Sequence, residues 1–138
     1  MSEAAPMRRP EQRWRLIAAV LLWLSTTAWA GGGVAAESTW IEHAEGLVAA
    51  AKGHADVAQF RQDVETQRER LREIVRQEGP QPTPERRQLH VSMILLNALL
   101  KSASDCHQGG RVVCPAQLLR QLDEQVNVVQ GQLRAVQG

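Results

Sequence analysis

The chain has 138 residues, of which 16 are basic and 15 acidic, with 43% hydrophobic and only 4% aromatic side chains. That length suits one small domain and leaves no room for several. The near-balanced charge provides no basic footprint, which argues against a nucleic-acid partner.

The first element is a leader. Arg8, Arg9, Arg13 and Arg15 outweigh Glu3 and Glu11, and the uncharged run Leu16 to Ala30 follows. It ends in Ala28-Trp29-Ala30, a small-x-small exit of the kind a signal peptidase accepts, and Val34-Ala35-Ala36 offers a second cut. Residues 1–36 therefore read as a secretory signal peptide with its cleavage region, and residues 37–138 as a single helical-bundle domain. An uncleaved anchor competes, because Leu16 to Ala36 has no charge and just reaches the ~20 residues that span a bilayer. Gly31-Gly32-Gly33 makes the second half of that stretch a poor membrane helix. Either way the arginines hold the N-terminus on the cytoplasmic side. The expected location is periplasmic or secreted, with an N-terminally anchored inner-membrane form as the alternative. The leader is the sole membrane contact expected.

Beyond Ala30 the count becomes 12 basic against 13 acidic residues, a net of −1. Trp40 and Phe60 are the only aromatics left there, so a base-stacking surface is missing too.

Thr39-Trp40-Ile41-Glu42 has the form of a capping box, and Ile41, Ala44, Leu47/Val48, Ala51 and Ala55 recur at helical spacing. A short helix over 39–53 is expected, weakened at Gly53. Asp56 then caps a second helix over 56–78, whose apolar seam restarts at Val57, Phe60, Val64, Leu71 and Ile74. Its outer face interleaves Arg61, Glu65, Arg68, Glu69, Arg72, Glu73 and Arg76 at spacings that neighbour opposite charges, the pattern of a solvated surface.

Gly79-Pro80-Gln81-Pro82 stops that helix, and Thr83-Pro84 starts the next, with threonine as cap and proline in the first turn. "LHVSMILLNALL", Leu89 to Leu100, is apolar almost all round, so the helix over 84–106 is expected to be central and buried. The last helix, over 115–136, carries Leu119, Leu122, Val126, Val129, Leu133 and Val136 at alternating spacings of three and four. This heptad seam fits an intramolecular bundle beside the apolar helix, with a coiled-coil dimer as the alternative. No strand pattern is visible. The fold class is all-α, a small three- to four-helix bundle.

"DCHQGGRVVCP" joins the last two helices and holds both cysteines, Cys106 and Cys114. In an exported protein an even pair flanking a hairpin loop reads as a disulfide clip. Closing this nine-residue loop is worth roughly 2.5 kcal/mol in the chain-entropy model. The spacing fits neither C-x-x-C redox chemistry nor haem attachment, and Cys106, His107 and Cys114 lack a fourth metal ligand.

Of the other histidines, His43 and His54 share a helical face only if the first helix runs unbroken through Gly53. With Glu42 or Glu45 they are the candidate metal ligands. His90 sits at the edge of the apolar run, and Met93 has no evident haem partner. Asn97 is the one polar side chain expected to face inward. No Walker loop, GxGxxG, HExxH, paired-carboxylate or Ser/His/Asp pattern is present. No catalytic residue and no cofactor are expected. The chain reads as a non-enzymatic exported helical protein working through protein–protein contacts as an accessory or adaptor, with an envelope protein or a second copy as partner. A periplasmic metal- or small-ligand-binding bundle is the alternative.

Overall fold

A computed structural model describes residues 33–138; the greater part of the expected leader, residues 1–32, lies outside the described residues. Val34–Gly138 forms one compact unit. Its elements are α1 Ala35–Lys52, α2 Val57–Gln77, α3 Pro84–Ser104, the two-residue strands β1 His107–Gln108 and β2 Arg111–Val112, and α4 Ala116–Gln137. In the described part 77% of residues are helical.

The local signals act where expected for α2 and α3. Asp56 accepts from the Gln59 amide at 3.0 Å, and Thr83 accepts from Arg86 at 3.2 Å with Pro84 opening the helix. Gly79, at φ +86°, follows the end of α2 in the left-handed region that glycine adopts without strain. The start of α1 differs from expectation. Thr39 is no cap: its hydroxyl donates back to the Ala35 carbonyl at 3.1 Å inside a helix that already began at Ala35. Val34 fills the cap position without a side-chain bond, held by its own burial at 8% exposure.

Short connections fold the helices up and down, so each packs on its neighbours in the ring α1–α2–α3–α4, with α1 also touching α3 across the diagonal. The core runs from Trp40 and Ala44 through Phe60 and Val64 to Leu96, Leu100, Leu122 and Val129. Trp40 also ties α1 to α2 by a reciprocal pair. Its indole N–H donates to the Gln67 carbonyl at 2.8 Å, and the Gln67 amide donates to the Trp40 carbonyl at 2.9 Å. The seam of α4 faces inward: Leu122, Val126 and Val129 are buried, and Leu119, Leu133 and Val136 pack on the core from its edge.

Two further expectations need correction. First, α3 is not buried all round. Leu89, Met93, Leu96 and Leu100 are fully covered, but Val91, Ile94 and Leu95 are about half exposed at 51%, 49% and 52%. Four helices in a ring leave each one an outer face that no other helix covers.

Second, the cysteine loop contains strands and two free thiols. His107 pairs with Val112 and Gln108 with Arg111, around Gly109 and Gly110 at φ +58° and +77°. Two consecutive positive-φ residues are what a tight two-residue hairpin demands, and Gly-Gly meets it. The expected bond between Cys106 and Cys114 is not formed: the pair stands 3.6 Å apart, whereas a disulfide needs about 2.05 Å. Instead the Cys106 thiol donates to Ser102 O at 3.5 Å and the Cys114 thiol to Ala103 O at 3.4 Å, both on the last turn of α3.

The hairpin clips the end of the bundle by other means. Val57 N–H donates to Gly110 O and Val112 N–H to Ala55 O, each at 2.9 Å, so the α1–α2 turn lies along β2. Val112, fully buried, plugs that end of the core.

Candidate functional site

The best-defined polar constellation lies near the start of α1, where three separate pieces of chain meet. Glu37 comes from the first turn of α1, Glu78 from the residue that ends α2, and Arg86 and His90 from successive turns of α3. Arg86 Nη1 donates to Glu37 Oε2 at 3.0 Å, and Arg86 Nε pairs with Glu78 Oε1 at 3.2 Å. His90 Nε2 lies 3.4 Å from Glu37 Oε2 and 3.1 Å from Glu78 Oε2. The carboxylate side chains are 4% and 6% exposed and the imidazole 7%, whereas the guanidinium keeps 21%.

Charges this deep persist only when paired. The arrangement also fixes a hydrogen on His90 Nε2, because a bare lone pair facing two carboxylates would be repelled by both. With Arg86 it supplies the donors that the two acids need. Glu37, Glu78 and His90 each present a ligand atom within 4.8 Å of the others, and among the described residues no other three His, Cys, Asp or Glu side chains converge in this way.

No local spacing announces this cluster, since Glu37 lies 49 residues from Arg86 and 53 from His90, and Glu78 belongs to the end of a different helix. In sequence Glu37 is only the first residue after the expected leader, and Glu78 looks like one more acid on a charged helix. His90, at the edge of the apolar run, is the one member that stands out in the sequence, and its position there is that of a boundary residue.

The candidate histidines are not brought together. His43 Nδ1 takes the Arg70 guanidinium between α1 and α2. His54, with α1 already ended and its own φ at +57°, places Nδ1 3.1 Å from Val112 O at the clipped end. Asn97 does face inward, at 7% exposure, and its Oδ1 finds no hydrogen-bond partner. It lines a groove of about 320 Å³ between α2 and α3, together with Leu71, Ile94 and Ala98 and the cations Arg68, Arg72 and Lys101. In the thiol pair, burial first, then the Cys106 side chain beside it, pushes Cys114 up to about 12. Cys114 is therefore a poor nucleophile at neutral pH.

The architecture and these sites define a class: a small four-helix bundle with one end clipped by a β-hairpin and a buried ionic cluster beside the start of α1. Comparison with protein-family models, curated proteins and solved structures finds no match for this chain.

Proposed function

We propose that this is an exported, non-catalytic helical bundle of the cell envelope that works as an accessory protein through contacts with another protein. The observation that carries the reading is the outer face of α3. Val91, Ile94 and Leu95 place three large aliphatic side chains side by side, each about half exposed, on a helix whose opposite stripe already supplies the core. Apolar residues scattered singly need no explanation, but a contiguous patch of them on one helix marks an interaction surface. The leader supports export by its basic start, uncharged run and small-residue exits. In an oxidising compartment Cys106 and Cys114 would then join. The two thiols lose two protons and two electrons to a disulfide-bearing thiol oxidase, which is left as a dithiol, and the sulfurs close from 3.6 Å. Crosslinking of the full chain in the envelope fraction tests the contact. A defined adduct is expected, and recovery of monomer alone at every crosslinker concentration would refute the proposal.

A second reading rests on the ionic cluster. His90 Nε2 sits 3.4 and 3.1 Å from two carboxylate oxygens, close to the roughly 3.3 Å that separates ligands around tetrahedral zinc with bonds of about 2.0 Å. Glu37, Glu78 and His90 would supply three ligands, the metal replacing the hydrogen on Nε2, with Arg86 holding Glu78 by its other oxygen and releasing Glu37 Oε2, which it bonds at 3.0 Å, to the metal. Equilibrium dialysis of the full chain against Zn²⁺ decides it. One zinc per chain, lost in His90→Ala, is the expected result; no uptake by the parent protein rules out this reading.

A further inference from the structure

We propose that the groove between α2 and α3, with the outer face of α3 beside it, is the docking site for an acidic amphipathic helix of a partner protein. This rests on the protein-contact function proposed above and names its surface and the chemistry of its partner.

The groove has an apolar floor of Leu71, Ile94 and Ala98 and a rim of three cations, Arg68, Arg72 and Lys101, with no acid among its lining residues. The cations are available. Arg68 and Arg72 are half exposed, and their ties to Glu65 at 2.8 Å and Glu69 at 3.7 Å run along the surface of α2. Exposed pairs of this kind hold their side chains by well under about 1 kcal/mol, so incoming carboxylates compete readily. Lys101 stands on α3, one turn from Asn97.

Asn97 also lines the groove and is nine-tenths buried, but its Oδ1 is closed off from the surface, so the slot meets an occupant through its apolar floor and its cations. The partner helix therefore lays an apolar stripe on that floor and carries Asp or Glu on its flank, the helix-in-groove mode of recognition.

Charge also discriminates between occupants. A second copy packed face to face with antiparallel α3 helices would set Arg68 and Arg72 against their own counterparts. A bilayer offers a broad flat surface, whereas this site is a concave slot of about 320 Å³, the size for a side chain or two. The exported part of the chain, at net −1, has no general attraction to anionic lipid.

The test is site-specific photocrosslinking in cells producing the full chain, with a benzophenone amino acid at exposed Leu95 and, as a control on α4, at exposed Gln121. The expected result is an adduct from position 95. Mass spectrometry of its linked peptide shows acidic residues flanking an apolar stripe at helical spacing. Combining Arg68→Glu, Arg72→Glu and Lys101→Glu lowers its yield by roughly tenfold or more. Ile94→Asp does the same, and helix content by circular dichroism stays unchanged in both variants. A dimer-mass adduct, a lipid adduct, an adduct indifferent to the charge reversals, or adducts from Gln121 but not Leu95 would each overturn the site while leaving a protein-contact function standing. No adduct from either position, together with monomer alone on general crosslinking, overturns both.

Discussion

Arg86 holds the ionic cluster together, and removing it gives the sharpest test of how that cluster works. Replacing Arg86 with Met keeps most of the buried stem but deletes the guanidinium that reaches Glu37 at 3.0 Å and Glu78 at 3.2 Å. Two carboxylates, 4% and 6% exposed, are then left facing one imidazole. Breaking a fully buried charge network by deleting one partner costs about 3–5 kcal/mol. Arg86 is 21% exposed, so water can reach the vacated position, and the lower end, about 3 kcal/mol, is the appropriate figure. For a domain of about 100 residues each kcal/mol shifts the melting temperature by about 4–8 °C, which gives a drop of roughly 12–24 °C. Trp40, the only tryptophan among the described residues and buried against Gln67, reports the melt by fluorescence, with circular dichroism as the second probe. Adding Glu78→Gln to Arg86→Met should recover part of the loss, because one uncompensated charge goes with it. A loss below about 1 kcal/mol, or a Glu78→Gln change that merely adds its own destabilisation, would show that the cluster is not a mutually compensating set.

Leu96→Ala, at a side chain with no exposed surface, should cost about 2–5 kcal/mol by denaturant titration, and a loss under about 1 kcal/mol would place the core elsewhere. Val91→Lys and Leu95→Gln, by contrast, should each change stability by no more than about 0.5 kcal/mol in the same titration while weakening the envelope adduct. In the reduced protein the raised Cys114 thiol means that the folded state keeps its proton longer than the unfolded chain does. Its contribution to stability is full below the ordinary thiol value of 9.0 and is lost as pH rises toward about 12, so urea midpoints should fall across that window and fall less in Cys114→Ala. Protein recovered from the exported fraction should have the intact mass of a chain beginning at Gly31. A cut after Ala36 would strip the first turn of α1, including buried Val34 and the carbonyl that accepts from Ser38 at 2.8 Å, so a mass beginning at Glu37 would contradict the described helix start.

What the sequence disclosed was whatever depends on near neighbours. Asp56, Thr83-Pro84 and Gly79 act within one turn of themselves, and the ends of α2 and the start of α3 follow from them. The heptad spacing of α4 is likewise local, and it points into the bundle. The misreadings share a different cause. Thr39 has the composition of a cap, but a cap is needed only where a helix begins, and Val34 finds a place in the core that starts the helix a turn earlier. A hairpin of two residues per strand is too short for any alternation to show. Only Gly109-Gly110 signals it, and the flanking cysteines have the spacing of a covalent clip without forming one in this structure. Glu37, Glu78 and His90 are ordinary residues in their own segments and become a site only when three helices converge.

The apolar run from Leu89 to Leu100 carries two messages that composition alone merges. One stripe, Leu89, Met93, Leu96 and Leu100, is spaced 4, 3 and 4 and is wholly buried by the other helices. The other, Val91, Ile94/Leu95 and Ala98, follows the same period about half a turn away and faces outward. A ring of four helices cannot cover both, because a helix in such a ring meets two neighbours and a diagonal but nothing on its far side. Hydrophobicity all round a helix therefore implies burial only in a larger body than this one. In a domain of about 100 residues it leaves one stripe outside, and on the function proposed above that stripe is where another chain would pack, with the basic rim of Arg68, Arg72 and Lys101 beside it favouring an acidic one.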